Sequence, residues 1–178
     1  MVILAILVWM AVKILTDDDY ELAWTRIWPG LWITIVAALE AFGIALVIGL
    51  VFGMGQLSRN VVSRNVARTY VEFVRGIPIL PLIFTVALVI VPQATDALNG
   101  RLEPWFGWEF RLSFQMRATV TLALIYGAYL AEIFRGGIQS IPPGQVEAGR
   151  SLGLSRRQTM NSVVLPQAMR AIIPPLGN

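Results

Sequence analysis

Residues 28–55 run for 28 positions with Thr34 and Glu40 as the polar side chains. A helix of that length, at about 1.5 Å per residue, outruns a hydrocarbon core of roughly 30 Å, so a tilted span is expected. The rest of the chain agrees. Of its 178 residues 56% are hydrophobic and 14% charged, and the mean hydropathy is +0.67. A soluble domain carries roughly 25% charged residues. The fold class implied is an all-α, multi-span membrane protein.

Composition also excludes chemistry. There is no cysteine, hence no disulfide framework, iron–sulfur cluster or thiol nucleophile. There is no histidine, which removes the commonest general base and zinc ligand. No metal site is expected. The single lysine, Lys13, lies in Val12-Lys13-Ile14 and cannot belong to a GxxxxGK[ST] phosphate loop, so the chain does not hydrolyse ATP by itself. The net charge of +3 comes mainly from arginines at membrane edges, which is topology and not nucleic-acid binding. Glu40 is the acid well inside a span, while Glu72 and Glu132 lie near predicted edges, so no catalytic dyad is visible for an intramembrane enzyme.

Residues 1–12 are apolar and precede Lys13 and three aspartates, without the basic start and cleavage site of a signal peptide. They read as an N-terminal apolar helix over 1–15, either tilted or the end of a helix beginning outside the chain. Residues 16–27 read as an extracytoplasmic linker. In the following span Ala41, Ala45, Gly49 and Gly53 recur every four residues, a stripe of small side chains that lets a neighbouring helix approach closely. An amphipathic, arginine-bearing segment then leads to a third span ending near Pro92, with a kink or break expected at Pro78 and Pro81. Residues 93–115 read as an external loop with Trp105 and Trp108 near the interface, and 116–134 as a fourth span. Segments 56–75 and 135–157 hold four arginines each, against one in 16–27 and two in 93–115. The positive-inside rule therefore makes the richer pair cytoplasmic.

The stretch GQVEAGRSLGLSRRQTMNSVVLP, residues 144–166, interrupts this apolar chain. Pro142 and Pro143 stop one helix and can start another. Gly153 suits the left-handed position that closes a helix, and a side chain there would oppose the turn. Ser155-Arg-Arg-Gln158 matches a capping box for a further helix. Val146, Gly149 and Leu152 fall on one side of the short helix, a small apolar face suited to a groove. On these grounds alone a cytoplasmic helical hairpin without a partner fits as well as a docking surface.

The stretch resembles the EAA loop of binding-protein-dependent ABC importer permeases: Glu-Ala-Ala, three residues, Gly, nine residues, Ile-x-Leu-Pro. Here it reads Glu147-Ala148-Gly149, three residues, Gly153, nine residues, Val163-Val164-Leu165-Pro166. Gly149 and Val163 depart from the pattern, and Gly149 should loosen the helix by about 1 kcal/mol. The flanks AYLAEIFRGGI, IPPGQ, PQAMR and PPLGN, with YVEFVRGIPI from Tyr70, resemble the polar amino-acid uptake branch.

The resemblance implies a permease of the type I ABC importer kind over residues 28–178, incomplete at its C-terminus, with a cytoplasmic coupling loop at 136–160. It implies ATPase-coupling positions at Glu147, Ala148, Gly149, Gly153, Leu165 and Pro166. It implies separate ABC ATPase subunits that bind ATP, an extracytoplasmic solute-binding protein and a second permease copy or sister permease, in a bacterial plasma membrane. The chain itself would carry no cofactor. The branch often has Gln where Leu82 stands here, so this chain or its partner would handle a polar substrate differently. Glu40, Tyr126 and Tyr129 are candidates for the substrate path, against the alternatives of a helix-to-helix hydrogen bond for Glu40 and packing for the tyrosines. Another small solute as cargo, or a non-transporting fragment, is the alternative function.

Overall fold

The computed structural model describes residues 2–16, 18–107 and 109–177, so Met1, Asp17, Trp108 and Asn178 lie outside the described residues. Every element it assigns is helical: α1 (Val2–Thr16), α2 (Asp18–Gln56), α3 (Val61–Gly76), α4 (Ile79–Thr85), α5 (Val91–Phe106), α6 (Phe114–Gln139), α7 (Pro143–Ser151), α8 (Arg156–Thr159) and α9 (Leu165–Leu176). Two π-helical turns, Val86–Ile90 and Met160–Val164, join α4 to α5 and α8 to α9. Among the described residues three helical stretches are long and apolar enough to cross a membrane: Leu22–Gln56, Ile79–Trp105 and Phe114–Gln139.

The chain divides into two compact units, residues 1–39 and 40–178. In the first, α1 and the first half of α2 are helical, and the indoles of Trp24 and Trp28 lie 5.4 Å apart. Residues 18–27 are thus part of a helix. Leu22, Ala23 and Trp24 continue the apolar character of the following span, and one helix carries through.

In the second unit α6 is the central element. Along it Ala123, Ile125, Ala128, Leu130, Ala131 and Phe134 are buried, packed against α3 on one side and α9 on another. The small-residue stripe of α2 faces it, and Ala41, Ala45, Gly49 and Gly53 are all buried. A Cβ on Gly49 would stand 2.6 Å from the Leu130 Cβ, and one on Gly53 would stand 2.8 Å from the Ala131 carbonyl oxygen. Helix backbones meet here at a distance only glycine permits, and in lipid that close packing, rather than hydrophobic burial, holds helices together. Gly127 does the same in reverse, leaving room for Ile48 and for the Tyr70 hydroxyl, which donates to the Leu124 carbonyl.

The break expected near Pro78 is present. Ile77 is extended and Pro78 stands at the N-terminal boundary of α4, so α3 ends where a proline-preceding residue disfavours helix. Leu82 is buried in the core with Val71, Val74 and Ile125.

The expected end of the third span near Pro92 is corrected. The helix passes through this proline and continues to Phe106, so residues 93–106 are not loop. The reason is local. A proline inside an α-helix removes one amide and clashes with the carbonyl four residues back. Here the turn before it is widened, with the Val91 amide bonded to the carbonyl of Val86, five residues back. The same device recurs at Pro166, where the Leu165 amide bonds to the Met160 carbonyl. Both prolines sit in like sequence, Val91-Pro92-Gln93-Ala94 and Leu165-Pro166-Gln167-Ala168. The true loop is short, and Asn99 holds it by donating to the Phe110 carbonyl at 3.0 Å and accepting from the Phe110 amide at 2.8 Å.

Candidate functional site

The segment after α6 builds a surface helix with well-defined ends. Pro142 starts α7, and its carbonyl accepts from the Gln145 amide at 3.0 Å. At the other end Gly153 has φ +80°, its amide bonds to the Arg150 carbonyl at 2.9 Å, and the Leu154 amide bonds to the Gly149 carbonyl at 3.2 Å. This is a Schellman closure, with glycine where the left-handed residue must be. A Cβ at position 153 would meet nothing within 4 Å. The demand for glycine is therefore one of backbone conformation, not of space. Immediately after it Ser155 and Gln158 cap each other's backbone amides, the capping box expected from their spacing.

The facing of α7 differs from the expected apolar side. Gly149 is buried against α8, and a Cβ there would stand 3.0 Å from Thr159 Cγ2. Alanine at this position would crowd Thr159, which gives a packing reason for the departure from Glu-Ala-Ala. Val146 is half-buried as well. The period of about 3.6 that aligned Val146, Gly149 and Leu152 does not hold, because the helix has already ended at Leu152. That leucine stands 82% exposed at the tip of the turn, beside exposed Glu147, Ala148 and Ser151. The outward surface is thus one acid, two small residues and one large apolar side chain. Leu165 and exposed Pro166 open α9 on the far side of the second π turn, and α7 packs against that turn. The Gln167 amide also reaches the Gln145 side chain, at 3.4 Å, tying α9 to α7.

A second polar feature escapes sequence reasoning. A cleft of about 600 Å³ opens between α3 and α6, lined by Gln56, Arg68, Glu72, Arg75, Tyr129, Glu132 and Arg135. Arg135 donates to both carboxylate oxygens of Glu132, at 2.9 Å through Nε, and to Gln139. Arg75 approaches Glu132 at 3.8 Å and lies 5.7 Å from the centre of the Tyr129 ring. Glu132 therefore links α3 to α6 by holding two guanidiniums. A signal is present, since Arg68, Glu72 and Arg75 lie at helical spacing on α3, but one sequence does not name their partner helix.

Of the candidate path residues, Tyr129 lines this cleft. Tyr126 lies outside it, 49% exposed, with its ring 6.4 Å from that of Tyr129. Glu40 is exposed on α2 and is not among the described residues that line the cleft. Among the described residues Glu40 makes no hydrogen bond within the chain. Glu132→Gln should leave Arg75 and Arg135 repelling each other and lower stability by about 1–2 kcal/mol, between the values for exposed and buried pairs. Thermal unfolding of the purified protein in detergent checks this, and an unchanged midpoint would assign the pair no structural weight. Among the described residues no cluster of acids could hold a metal ion.

Comparison with known proteins places this architecture. The chain is 36% identical over 162 residues to the glutamine transport system permease of Escherichia coli K12, covering 87% of this chain and 68% of that protein. It is 34% identical over 193 residues to the arginine transport system permease of Corynebacterium glutamicum, covering 99% of this chain and 58% of that protein. It is 32% identical to the L-cystine transport system permease of Bacillus subtilis 168, covering 92% of this chain and 65% of that protein. The chain thus spans between about three fifths and two thirds of the length of these relatives. A crystal structure of an amino acid ABC transporter with histidines matches with a TM-score of 0.70 and 32% identity, over 92% of this chain and 70% of that one. Residues 45–178 match the family described as "Binding-protein-dependent transport system inner membrane component", and the chain belongs to that family.

Proposed function

We propose that this chain is the permease subunit of an ABC importer that passes a polar or charged amino acid across the bacterial inner membrane by alternating access. A separate ATPase drives it, and α7 is the element that ATPase grips. The observation that carries the reading is Leu152. A large apolar side chain left 82% exposed at the tip of a rigidly capped turn, flanked by Glu147 and Ala148, fits the groove of a partner better than water. The membrane helices hold no nucleotide chemistry, so their two arrangements must be biased by a partner that binds them differentially. Movement of α7 would reach the core through Gly149 on α8 and through the second π turn. An extracytoplasmic solute-binding protein and a second permease, identical or sister, complete the assembly.

The amino-acid cargo is supported by the relatives named above, which carry glutamine, arginine and cystine in their descriptions. Glu147→Lys reverses the charge on the gripped face without touching the buried side of α7. The neighbouring ATPase should co-purify with the wild type in detergent and be lost, by roughly tenfold or more, with this variant, as expected when an interfacial charge meets its like. Equal retention by both would sink the docking role of α7.

A further inference from the structure

A second hollow lies beside α7. It is a pit of about 250 Å³ with Arg59, Arg150 and Arg156 on its lining and Ile138, Ile141 and Val146 among its apolar walls. The arginines come from three places, the turn between α2 and α3, α7, and the start of α8. All three are exposed. Among the described residues no acidic side chain lines the pit. Among the described residues none of the three arginines is ion-paired. The contrast with the larger cleft is sharp, since there two glutamates offset three arginines.

Three uncompensated guanidiniums over apolar walls call for a ligand that is anionic at one end and oily at the other. Guanidinium forks suit phosphate oxygens, and basic hollows between membrane helices on the cytoplasmic side suit anionic headgroups. The position agrees. The pit lies where α2 and α6 end and α8 begins, at the level where spanning helices leave the hydrocarbon, on the arginine-rich side that the positive-inside rule makes cytoplasmic. We propose that this pit binds the phosphodiester headgroup of an anionic phospholipid, with Arg59, Arg150 and Arg156 as its counter-charges. Bound there, the lipid would bridge α7 to the α2–α3 turn and fix the height of α7 above the bilayer. The proposal rests on the permease reading for the side of the membrane on which α7 lies.

The test uses the full chain, purified with whichever subunits accompany it and placed in nanodiscs of equal phosphatidylglycerol and phosphatidylcholine. Native mass spectrometry then counts the lipids it retains. The wild type should favour phosphatidylglycerol by roughly tenfold or more, and the triple variant R59Q/R150Q/R156Q should show no preference. The single variants should fall between, which keeps the test open if the triple variant fails to fold. Equal phosphatidylglycerol preference in wild type and variants overturns the proposal. So does retention of inorganic phosphate by the lipid-free chain in place of lipid. Loss of the ATPase from the variants with phosphatidylglycerol still held also overturns it, and assigns the arginines to an acidic face of the motor. Failure of the permease reading would appear separately, in the Glu147→Lys co-purification, which counts no lipid.

Discussion

Gly153→Val will cut uptake by roughly 5- to 150-fold while leaving the protein in the membrane, corresponding to about 1–3 kcal/mol of backbone strain. Gly153 sits at φ +80°, where a β-branched residue is disfavoured by its own Cβ and the adjoining carbonyl. Nothing lies within 4 Å of that Cβ, so the core beneath is undisturbed and insertion should be normal. The valine must either hold the strain or release it by opening the Schellman closure. In both cases Leu152 and Glu147 lose their fixed presentation. Gly153→Asn separates the causes, because asparagine tolerates the left-handed region and should keep most of the activity. Uptake of labelled amino acid by cells, with membrane content measured by immunoblot, decides. Wild-type uptake by the valine variant would remove the turn from the mechanism.

Gly49→Leu should be the most damaging change to the fold. The stripe on α2 meets α6 where a Cβ already falls at 2.6 Å from Leu130 and the backbone cannot retreat without leaving Ala45 and Ala131 unpacked. Overpacking of this kind costs about 1–3 kcal/mol, and the thermal midpoint in detergent should fall by roughly 2–12 °C. Gly43→Leu is the control. It lies about one and two-thirds turns away on the same helix with nothing within 4 Å, and should leave the midpoint unchanged. Equal midpoints for all three proteins would mean that the close approach contributes nothing to stability.

Features governed by near neighbours along the chain are legible in the sequence. The small-residue stripe, the break at Pro78, the glycine closing α7 and the Ser155–Gln158 box each depend on a few residues, and each is present. Other features depend on a hydrogen-bond register that composition does not reveal. Pro92, followed by a stretch with glycines and charges, reads as the end of a span, yet a π turn just upstream lets the helix accept it. Periodicity misplaces the apolar face of α7 because it runs one residue past the helix end, to Leu152. The cleft needs tertiary knowledge: Glu132 on α6 and Arg75 on α3 are 57 positions apart, and nothing in either segment names the other.

The paired π turns bear on how the second unit can bend. Thrusting on a uniform α-helix spreads flexure over many residues, like loading a straight beam. A helix interrupted by a widened turn and a proline has already surrendered backbone bonds at one place, and will yield there first. The stretches Ile79–Phe106 and Arg156–Leu176 are each divided in this way, so each acts as two stiff rods with one compliant coupling. For the second, that coupling lies directly under α7. A push on α7 would therefore be received at a joint already made to flex, rather than along the shaft of a rigid rod.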